Sequence, residues 1–539
     1  MTAKPSATET NLAGLVLRHS EIRPAHPALT VAEEWNDDEV IDDIRLSYGE
    51  LGERIARVRR GLAAAGLRKN DRIVVMCGVR VELYILVLAM LASGMVAVLI
   101  DGGMGKKGVI QALRLARAKA IVSIDEILRH RLWVPSLWGL KRYSMDRARL
   151  GVRPFSQLEE QEPLKAPVVA CEQGTPALIT FTSGTTGRPK GANRTHDLLI
   201  AQHEALAEHF PARDDEIDMP CFPVVPLHNL CSGISTVLPA VDFRQPASVQ
   251  PGAVLSQIEA EGVTRLAGAP AYLTRLADHL LASGRRPDTV KTVVCGGAPT
   301  SQGLCKKLVE LFPDADTTII YGSTEAEPIA SVAMEEFLES HGQGYLVGRV
   351  AKAATVALVS LPEPLPILGE DEMEPFSVPP GEIGELVVRG PHVLRGYVDD
   401  PQADRETKLA APDGGVWHRT RDLARVDEEG RIWLLGRSSD SFEIASKRVY
   451  PFPIEARVDA LEGVARSALI ASSNAPTGEL LIVIDEGAGN EETRKRVRRY
   501  LDDQDLQAVE IDIISELPVD SRHNSKINRP ALRARREDL

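Results

Sequence analysis

The segment from Leu83 to Ile100 restricts the fold of this chain more than any other, because it is continuously apolar or small. Its length is near the lower limit for crossing a bilayer. Gly94 divides it into a helix-like half and a strand-like half, and the strand-like half ends at Asp101 and two glycines. A helix followed by a buried parallel strand is a normal pairing in α/β proteins. We therefore predict core structure here, in a protein that is not integral to a membrane.

The rest of the chain repeats this alternation of helices and strands. Short β-branched runs are separated by helical stretches such as Tyr48–Gly66, which predicts α/β layers with mainly parallel sheets. The runs are Arg72–Met76, Ala120–Ser123 and Thr292–Cys295. A Pro- and acid-rich patch, Leu361–Pro380, predicts a surface excursion, and Gly384–Gly390 and Arg431–Gly436 after it read as antiparallel strands. With 539 residues the chain exceeds the size of a single core, so we expect at least two domains.

Charge and cysteine usage limit the partners and the compartment. A formal net charge of -13 argues against nucleic acid as a partner, because phosphate backbones recruit basic proteins. The six cysteines show no CxxC pair, and the residues from Met1 to Asn11 are polar, without a signal pattern. We therefore expect buried free thiols and a cytoplasmic location. Peripheral membrane association through Trp133–Leu140 stays open.

The run Thr180–Gly191 has the composition of an anion-binding loop. An apolar lead-in opens onto hydroxyl and glycine residues and closes on Lys190. Glycines let the backbone approach an anion, and exposed N–H groups can form an anion-binding nest. The spacing differs from Walker A, because Pro189 precedes the lysine and Gly191 follows it. The run therefore predicts a phosphate site of another kind.

This run resembles the phosphate-loop signature of the adenylate-forming superfamily, which includes acyl-CoA synthetases, luciferases and peptide-synthetase adenylation domains. Further matches follow in the family's order, from about Leu46 to Ala531. The resemblance implies a large N-terminal domain, residues 1–436, of layered α/β subdomains plus a β-barrel-like region. It also implies a small mobile α+β domain, residues 437–539, that carries the catalytic lysine. The loop residues implied to bind ATP are Thr182, Ser183, Gly184, Thr185, Thr186, Gly187 and Lys190.

Tyr321-Gly322-Ser323-Thr324-Glu325 is similar to the family's second signature. There the threonine contacts the α-phosphate and the glutamate holds Mg²⁺, which prefers one or two carboxylates plus phosphate oxygens. Gly297, Ala298 and Pro299 follow a strand, as the family's adenine-contacting turn does.

Asp422 corresponds to the carboxylate that accepts both ribose hydroxyls. Arg421 stands where the family usually has glycine, which leaves the shape of the backbone there open. Arg437 matches an arginine near the ribose and phosphates. His228 matches a histidine of the acyl pocket, although a histidine alone is more often a loop residue. Lys526 matches the catalytic lysine, whose role is electrostatic stabilisation as carboxylate attacks the α-phosphorus.

The segment after Arg437 departs from members that transfer the acyl group to a thiol. Those members commonly have Asp at the hinge position where this chain has Ser439. They also have a glycine in the loop that follows, whereas the corresponding segment here, Ser441–Arg448, contains no glycine. Together with Leu238–Ala247 and Pro518–Ile527, this resembles the β-lactone synthetases of bacterial olefin biosynthesis. The resemblance implies that ATP activates a long-chain 2-alkyl-3-hydroxy acid and that the acid's own hydroxyl displaces AMP.

On this hypothesis ATP and Mg²⁺ are required, CoA is not expected, and the partners are the hydroxy acid and ATP. Assembly with other enzymes of the pathway is compatible with it. The main alternative is a fatty acyl-CoA or acyl-AMP ligase. A non-catalytic adenylate-binding scaffold is a third, which the presence of Lys190, Glu325, Asp422 and Lys526 disfavours.

Overall fold

The computed structural model describes residues 7–183, 189–245, 248–340, 344–362, 374–411, 414–472, 477–484, 487–519 and 526–537. The strands within these residues are β1 (Pro27–Trp35), β2 (Val40–Ser47), β3 (Arg72–Met76), β4 (Val96–Ile100), β5 (Ala120–Ser123), β6 (Lys141–Ser144), β7 (Arg153–Pro154), β8 (Pro176–Ser183), β9 (Pro189–Thr195), β10 (Ile217–Pro220), β11 (Ser235–Leu238), β12 (Arg265–Gly268), β13 (Thr292–Cys295), β14 (Asp316–Ser323), β15 (Ala326–Ala333), β16 (Tyr345–Val350), β17 (Thr355–Val359), β18 (Gly384–Arg389), β19 (Lys408–Ala410), β20 (Val416–Val426), β21 (Ile432–Arg437), β22 (Phe442–Ile444), β23 (Lys447–Val449), β24 (Val464–Ala471), β25 (Gly478–Ile484) and β26 (Val509–Ile513).

The α-helices of the same residues lie between these strands and at the two ends. They are α1 (Ala7–Thr10), α2 (Leu12–Ile22), α3 (Tyr48–Ala64), α4 (Val81–Ala92), α5 (Gly105–Ala116), α6 (Asp125–Leu128), α7 (Ser156–Glu159), α8 (His196–His209), α9 (Val225–Ser232), α10 (Pro251–Glu261), α11 (Pro270–Ser283), α12 (Gln302–Leu311), α13 (Met334–Glu339), α14 (Pro401–Thr407), α15 (Pro451–Val458), α16 (Asn490–Asp503) and α17 (Arg529–Glu537).

Two large sheets carry most of the chain, which confirms the predicted α/β class. In the described residues one sheet has fourteen strands in the order β17-β18-β20-β21-β16-β15-β14-β13-β12-β10-β11-β1-β2, with β19 beside β20. Its strands β10 to β14 are parallel, and from β14 to β18 the pairing is antiparallel, as the sequence predicted for the later strands. The other sheet has seven described strands in the order β7-β6-β5-β3-β4-β8-β9.

The apolar segment that opened the sequence analysis is core, as predicted. Helix α4 is buried from Tyr84 to Ala92, which is the expected environment of a helix that is apolar on all faces. Strand β4 pairs in parallel with β3 and β8. No described helix has the length and hydropathy that a bilayer crossing requires. All six cysteines are buried free thiols, also as expected.

The residues after β21 pack around cores of their own. Strands β24, β25 and β26 form a sheet whose two faces carry separate apolar clusters. Arg529 crosses this unit: its Nη2 lies 2.8 and 2.7 Å from the two carboxylate oxygens of Glu455, and its Nε lies 3.4 Å from Asp440. Arg533 also pairs with Asp440, at 3.1 Å. These ion pairs tie the turn Ser438–Asp440 to the last helix.

Candidate active site

The predicted phosphate loop joins two antiparallel strands of the seven-stranded sheet. Thr182 and Lys190 are partners in the register of β8 and β9, so the loop begins and ends at one place. The loop residues themselves lie outside the described part of the chain, as do the side chains of Thr182 and Ser183. Their role in phosphate binding stays a prediction, and it covers Gly184, Thr185, Thr186 and Gly187.

Lys190 reaches a charged cluster around Tyr397. The ammonium groups of Lys190 and Lys408 each lie 5.6 Å from the centroid of the Tyr397 ring. The Tyr397 hydroxyl donates a 2.8 Å hydrogen bond to Oε1 of Glu325. Burial alone would raise the pKa of Glu325, but its neighbours His418, the Tyr397 hydroxyl and Lys408 outweigh burial, and the pKa is lowered. Glu325 is therefore a carboxylate with positive charge beside it.

This environment fits the protein's share of a Mg²⁺ site. Mg²⁺ takes one or two carboxylates, and phosphate and water oxygens complete its shell. Among the residues described, no group of three His, Cys, Asp or Glu side chains is arranged to hold a metal ion alone. The donor set therefore suits an ion that arrives with nucleotide phosphates.

A second cluster fixes the carboxylate of Asp422 on β20. The Tyr321 hydroxyl donates to its Oδ2 at 2.6 Å, and Nε of Arg437 lies 2.9 Å from its Oδ1. Arg437 also donates to the carbonyl of Thr420 at 2.9 Å. Arg421 has φ of 63°, a left-handed conformation that glycine adopts more easily. The arginine that replaces the family's glycine therefore takes up a glycine-like backbone conformation in front of Asp422.

The predicted adenine turn lies beside the strand that carries Tyr321. Strands β13 and β14 are parallel, with Cys295 opposite Ile319, and the turn Gly296–Pro299 follows β13 directly. Gly297 has φ of 81°, a left-handed conformation that favours glycine at this position of the turn. The predicted Ala298 and Pro299 complete the same turn.

An apolar cavity lies on the other side of β14. It is lined by Leu12, Leu199, Gln202, His203, Leu206, Phe210, Asp218, Phe222, Val224, Val225, Leu227, His228, Arg265, Ala267, Val294, Ile320 and Glu327. Ile320 and Tyr321 are adjacent in β14, so their side chains point to opposite faces. One strand thus separates the cavity from the Asp422 cluster.

His228 lies on helix α9 rather than in a loop, with its ring at the cavity wall. Its Nδ1 lies 3.0 Å from Nδ1 of His203 on α8. Burial lowers the pKa of His228 to about 3 and that of His203 to about 4. Both rings are therefore neutral at pH 7, and His228 can act there as a hydrogen-bond donor or acceptor but not as a cation.

Glu327 is a site residue that the sequence analysis missed. Its carboxyl lines the apolar cavity, two positions after Glu325. The charges of Arg194 and Lys526 act on it, but burial outweighs them and raises its pKa. Lys526 is thus close to the apolar cavity, although it belongs to the C-terminal residues. Neither signature contains Glu327, and only the packing of β15 reveals its position.

Arg194 is a second residue that sequence reasoning missed. It donates to Oγ1 of Thr180 at 2.7 Å and to the carbonyl of Thr324 at 3.0 Å. These bonds join the strand before the phosphate loop to the turn that carries Glu325. The β14–β15 hairpin therefore contacts the Asp422 cluster, the Tyr397 cluster and the apolar cavity together.

Comparison with known proteins finds adenylate-forming relatives that match most of the chain. Residues 23–398 match the model of the AMP-binding enzyme family. The chain is 31% identical over 511 residues to the olefin beta-lactone synthetase of Stenotrophomonas maltophilia (strain K279a), covering 91% of each. It is 30% identical to a feruloyl-CoA synthase of an Amycolatopsis species, covering 81% of this chain and 82% of the relative. Its fold is similar to the amide bond synthetase McbA from Marinactinospora thermotolerans, with a TM-score of 0.79, 22% identity, and 98% and 99% of the two chains covered.

Proposed function

The chain belongs to the AMP-binding enzyme family, and from this premise we propose that it converts a long-chain 2-alkyl-3-hydroxy acid into a β-lactone. It is an adenylate-forming ligase. The finer proposal is carried by the similarity to an olefin β-lactone synthetase over nine-tenths of both chains. Two features of the site, described below, support the same choice.

In the first step we infer that a carboxylate oxygen of the acid attacks the α-phosphorus of ATP and displaces pyrophosphate. Asp422, held by Tyr321 and Arg437, would accept the ribose hydroxyls. Glu325 would hold Mg²⁺, which when bound neutralises phosphate charge. Lys526 would stabilise the charge that develops at the reacting centre.

In the second step the 3-hydroxyl oxygen attacks the acyl carbon. The new C–O bond closes the four-membered ring, the bond from the acyl carbon to the phosphate oxygen of AMP breaks with AMP as the leaving group, and the hydroxyl proton is released to solvent. Because nucleophile and electrophile belong to one molecule, holding them in contact replaces a bimolecular step. No thiol acceptor is needed.

The hairpin β22–β23 supports a reaction without a thiol acceptor. Its turn residues Ala445 and Ser446 have φ of 48° and 67°, values that favour glycine. The resemblance puts a glycine in this loop of thiol-transferring members. Here side chains occupy a turn of glycine type, which makes it less suited to a pantetheine arm.

Glu327 supports a hydroxylated substrate. It places a carboxyl in a cavity whose walls are otherwise mostly apolar. The charges of Arg194 and Lys526 act on this carboxyl, and because each carboxylate oxygen can accept more than one hydrogen bond, it retains acceptor capacity for a ligand. We propose that it accepts the hydrogen bond of the 3-hydroxyl.

We also propose a domain boundary at Gly436 and Arg437, with residues 437–539 as the lid that brings Lys526 to the acyl cavity. The separate cores of the residues after β21 support this division. The influence of Lys526 on Glu327 supports the placement of the lysine.

A fatty acyl-CoA ligase is the second candidate, supported by the similarity to a feruloyl-CoA synthase. The deciding experiment is mass spectrometry of the products from ATP, Mg²⁺ and a long-chain 2-alkyl-3-hydroxy acid, with and without CoA. The matching acid without the hydroxyl serves as the control substrate. A dehydrated product formed without CoA, with a β-lactone carbonyl band, is expected from the hydroxy acid only. A CoA thioester from both acids would contradict the proposal.

A further inference from the structure

A cluster of large apolar side chains is exposed at the edge of the seven-stranded sheet. Trp133, Trp138, Leu132 and Leu150 have exposed fractions of 82%, 61%, 68% and 93%. Of the five tryptophans in the chain, Trp417 and Trp433 are buried. Soluble proteins rarely expose such side chains together without an interaction that covers them.

Hydrogen bonds hold the four side chains on one small scaffold. Arg131 donates to the carbonyls of Leu128 and Leu150, at 3.2 Å each. The carbonyl of Arg131 in turn accepts the indole N–H of Trp138 at 3.1 Å. Leu132 and Trp133 follow Arg131 directly. We call these four exposed residues, Leu132, Trp133, Trp138 and Leu150, the tryptophan patch.

The surroundings of the tryptophan patch are basic, in contrast to the rest of the molecule. From Arg129 to Arg153 the sequence has seven Lys and Arg residues and one acidic residue, Asp146, whereas the whole chain carries a net charge of -13. Arg147 is 79% exposed and Arg149 is 37% exposed, although both pair with the buried Asp125. Arg129, Lys141 and Arg153 are also exposed. The local charge is therefore positive.

We propose that the tryptophan patch binds the surface of an anionic lipid bilayer. Tryptophan is enriched at membrane interfaces, where the ring contacts the acyl boundary and the N–H remains polar. Basic residues beside it are attracted to anionic headgroups, and an apolar and a basic contribution together are what a peripheral protein needs. A protein partner would also bury the leucines and tryptophans, but the excess of positive charge around them favours a surface of uniform negative charge.

This inference does not depend on lactone formation, although it is consistent with it. A long-chain acid partitions into bilayers, so an enzyme that docks on the bilayer meets its substrate at high local concentration. The contact is peripheral, because no helix in the described residues meets the requirements for spanning.

The experiment measures partitioning of the full-length protein onto vesicles by flotation and by tryptophan fluorescence. One set of vesicles contains phosphatidylglycerol and phosphatidylcholine in about equal parts, and the other contains phosphatidylcholine only. We expect binding to the anionic vesicles that weakens with added salt, and a shift of tryptophan emission to shorter wavelength. The variant Trp133→Ser with Trp138→Ser should lose at least about tenfold of the partition constant, and Arg147→Gln with Arg149→Gln should lose the preference for anionic vesicles.

Two control variants replace exposed apolar and charged side chains outside the tryptophan patch. Ile41→Ser replaces an apolar residue that is 56% exposed, and Arg285→Gln with Arg286→Gln removes two exposed charges outside the patch. These variants should bind vesicles like the wild type. Failure of the wild type to bind anionic vesicles would overturn the proposal, and so would equal loss in patch and control variants. Self-association that Trp133→Ser abolishes, without vesicle binding, would assign the patch to a protein interface instead.

Discussion

Replacing Glu327 by methionine tests whether the carboxyl in the acyl cavity recognises the substrate's hydroxyl. Methionine keeps an unbranched Cβ and Cγ, which matters because a Cβ on Gly322 would lie only 3.1 Å from Cγ of Glu327. The substitution therefore removes the hydrogen-bond acceptor, while the methionine side chain still fits between β14 and β15. The free energy of unfolding of the variant is measured alongside, because the charges of Arg194 and Lys526 act on the carboxyl that it removes.

The expected loss follows from the one hydrogen bond that disappears. A hydrogen bond to a charged group contributes about 1.5 to 3 kcal/mol. At 25 °C this corresponds to a loss of about 10- to 150-fold in kcat/KM for the 3-hydroxy acid. The acid without the hydroxyl cannot make this bond, so its kcat/KM should be unchanged or higher.

The assay is pyrophosphate release by wild type and Glu327→Met with each of the two acids, which forms a cycle of substrate against residue. Glu339→Met, an exposed position on α13, is the control for the substitution itself. Equal losses with both acids would mean that Glu327 acts on the reacting centre or on the fold and not on the hydroxyl. No loss with either acid would refute its role in recognition.

Four further predictions concern the rest of the molecule. Lys526→Ala should reduce pyrophosphate release by about 100-fold or more while ATP binding, measured by calorimetry, is retained; near-normal turnover would remove Lys526 from the mechanism. Asp422→Asn should raise the KM for ATP by about tenfold or more, because a charged acceptor for the ribose is lost, and an unchanged KM would contradict that assignment. Arg529→Met should lower the free energy of unfolding in urea by about 3 to 5 kcal/mol, since Glu455 would be left buried without its partner, and the double variant with Glu455→Leu should recover part of it. Because burial lowers the pKa of His228 to about 3, the unfolded state binds the extra proton as the pH falls below 6.5, and stability falls with it. His228→Gln should reduce this loss, by about 1.6 kcal/mol in total between pH 6.5 and 5, and an unchanged pH dependence in urea titrations would count against a buried neutral ring.

The sequence predicted those parts of the fold that depend on local pattern. The strands Arg72–Met76, Ala120–Ser123 and Thr292–Cys295 have the predicted bounds, because a β-branched run between turn residues leaves few alternatives. The predicted helix Tyr48–Gly66 ends at Ala64. The continuity of the antiparallel strands with the parallel ones in a single sheet was not predicted, because strand order depends on long-range pairing that one sequence does not encode locally.

The candidate site likewise contains residues that the sequence predicted and residues that only the structure reveals. Asp422 and Glu325 belong to contiguous signatures, so the sequence could nominate them before their surroundings were known. Tyr397 and Glu327 belong to none, and their roles depend on which face of a strand or which end of a loop meets the cavity. Arg421 shows that a departure from the family's residue type does not predict a change of backbone conformation. It replaces the family's glycine, yet its backbone adopts the left-handed conformation that glycine favours.

The ion pairs on either side of the 3₁₀ turn Ser438–Asp440 determine how the proposed lid can turn. Arg437 is held by Asp422 on one side, and Asp440 is held by Arg529 and Arg533 on the other. Ser438 and Ser439 lie between these two anchored side chains, and the Ser441 hydroxyl donates to the Ser438 carbonyl at 2.9 Å. We propose that the lid turns mainly about the φ and ψ angles of these two serines once that bond opens. Because this hinge is so short, we expect the proposed lid to rotate as a rigid body between a small number of orientations. Arg437, which pairs with the carboxylate that we propose accepts the ribose hydroxyls, is also the fixed end of this hinge, so nucleotide binding and lid rotation would be coupled through one residue.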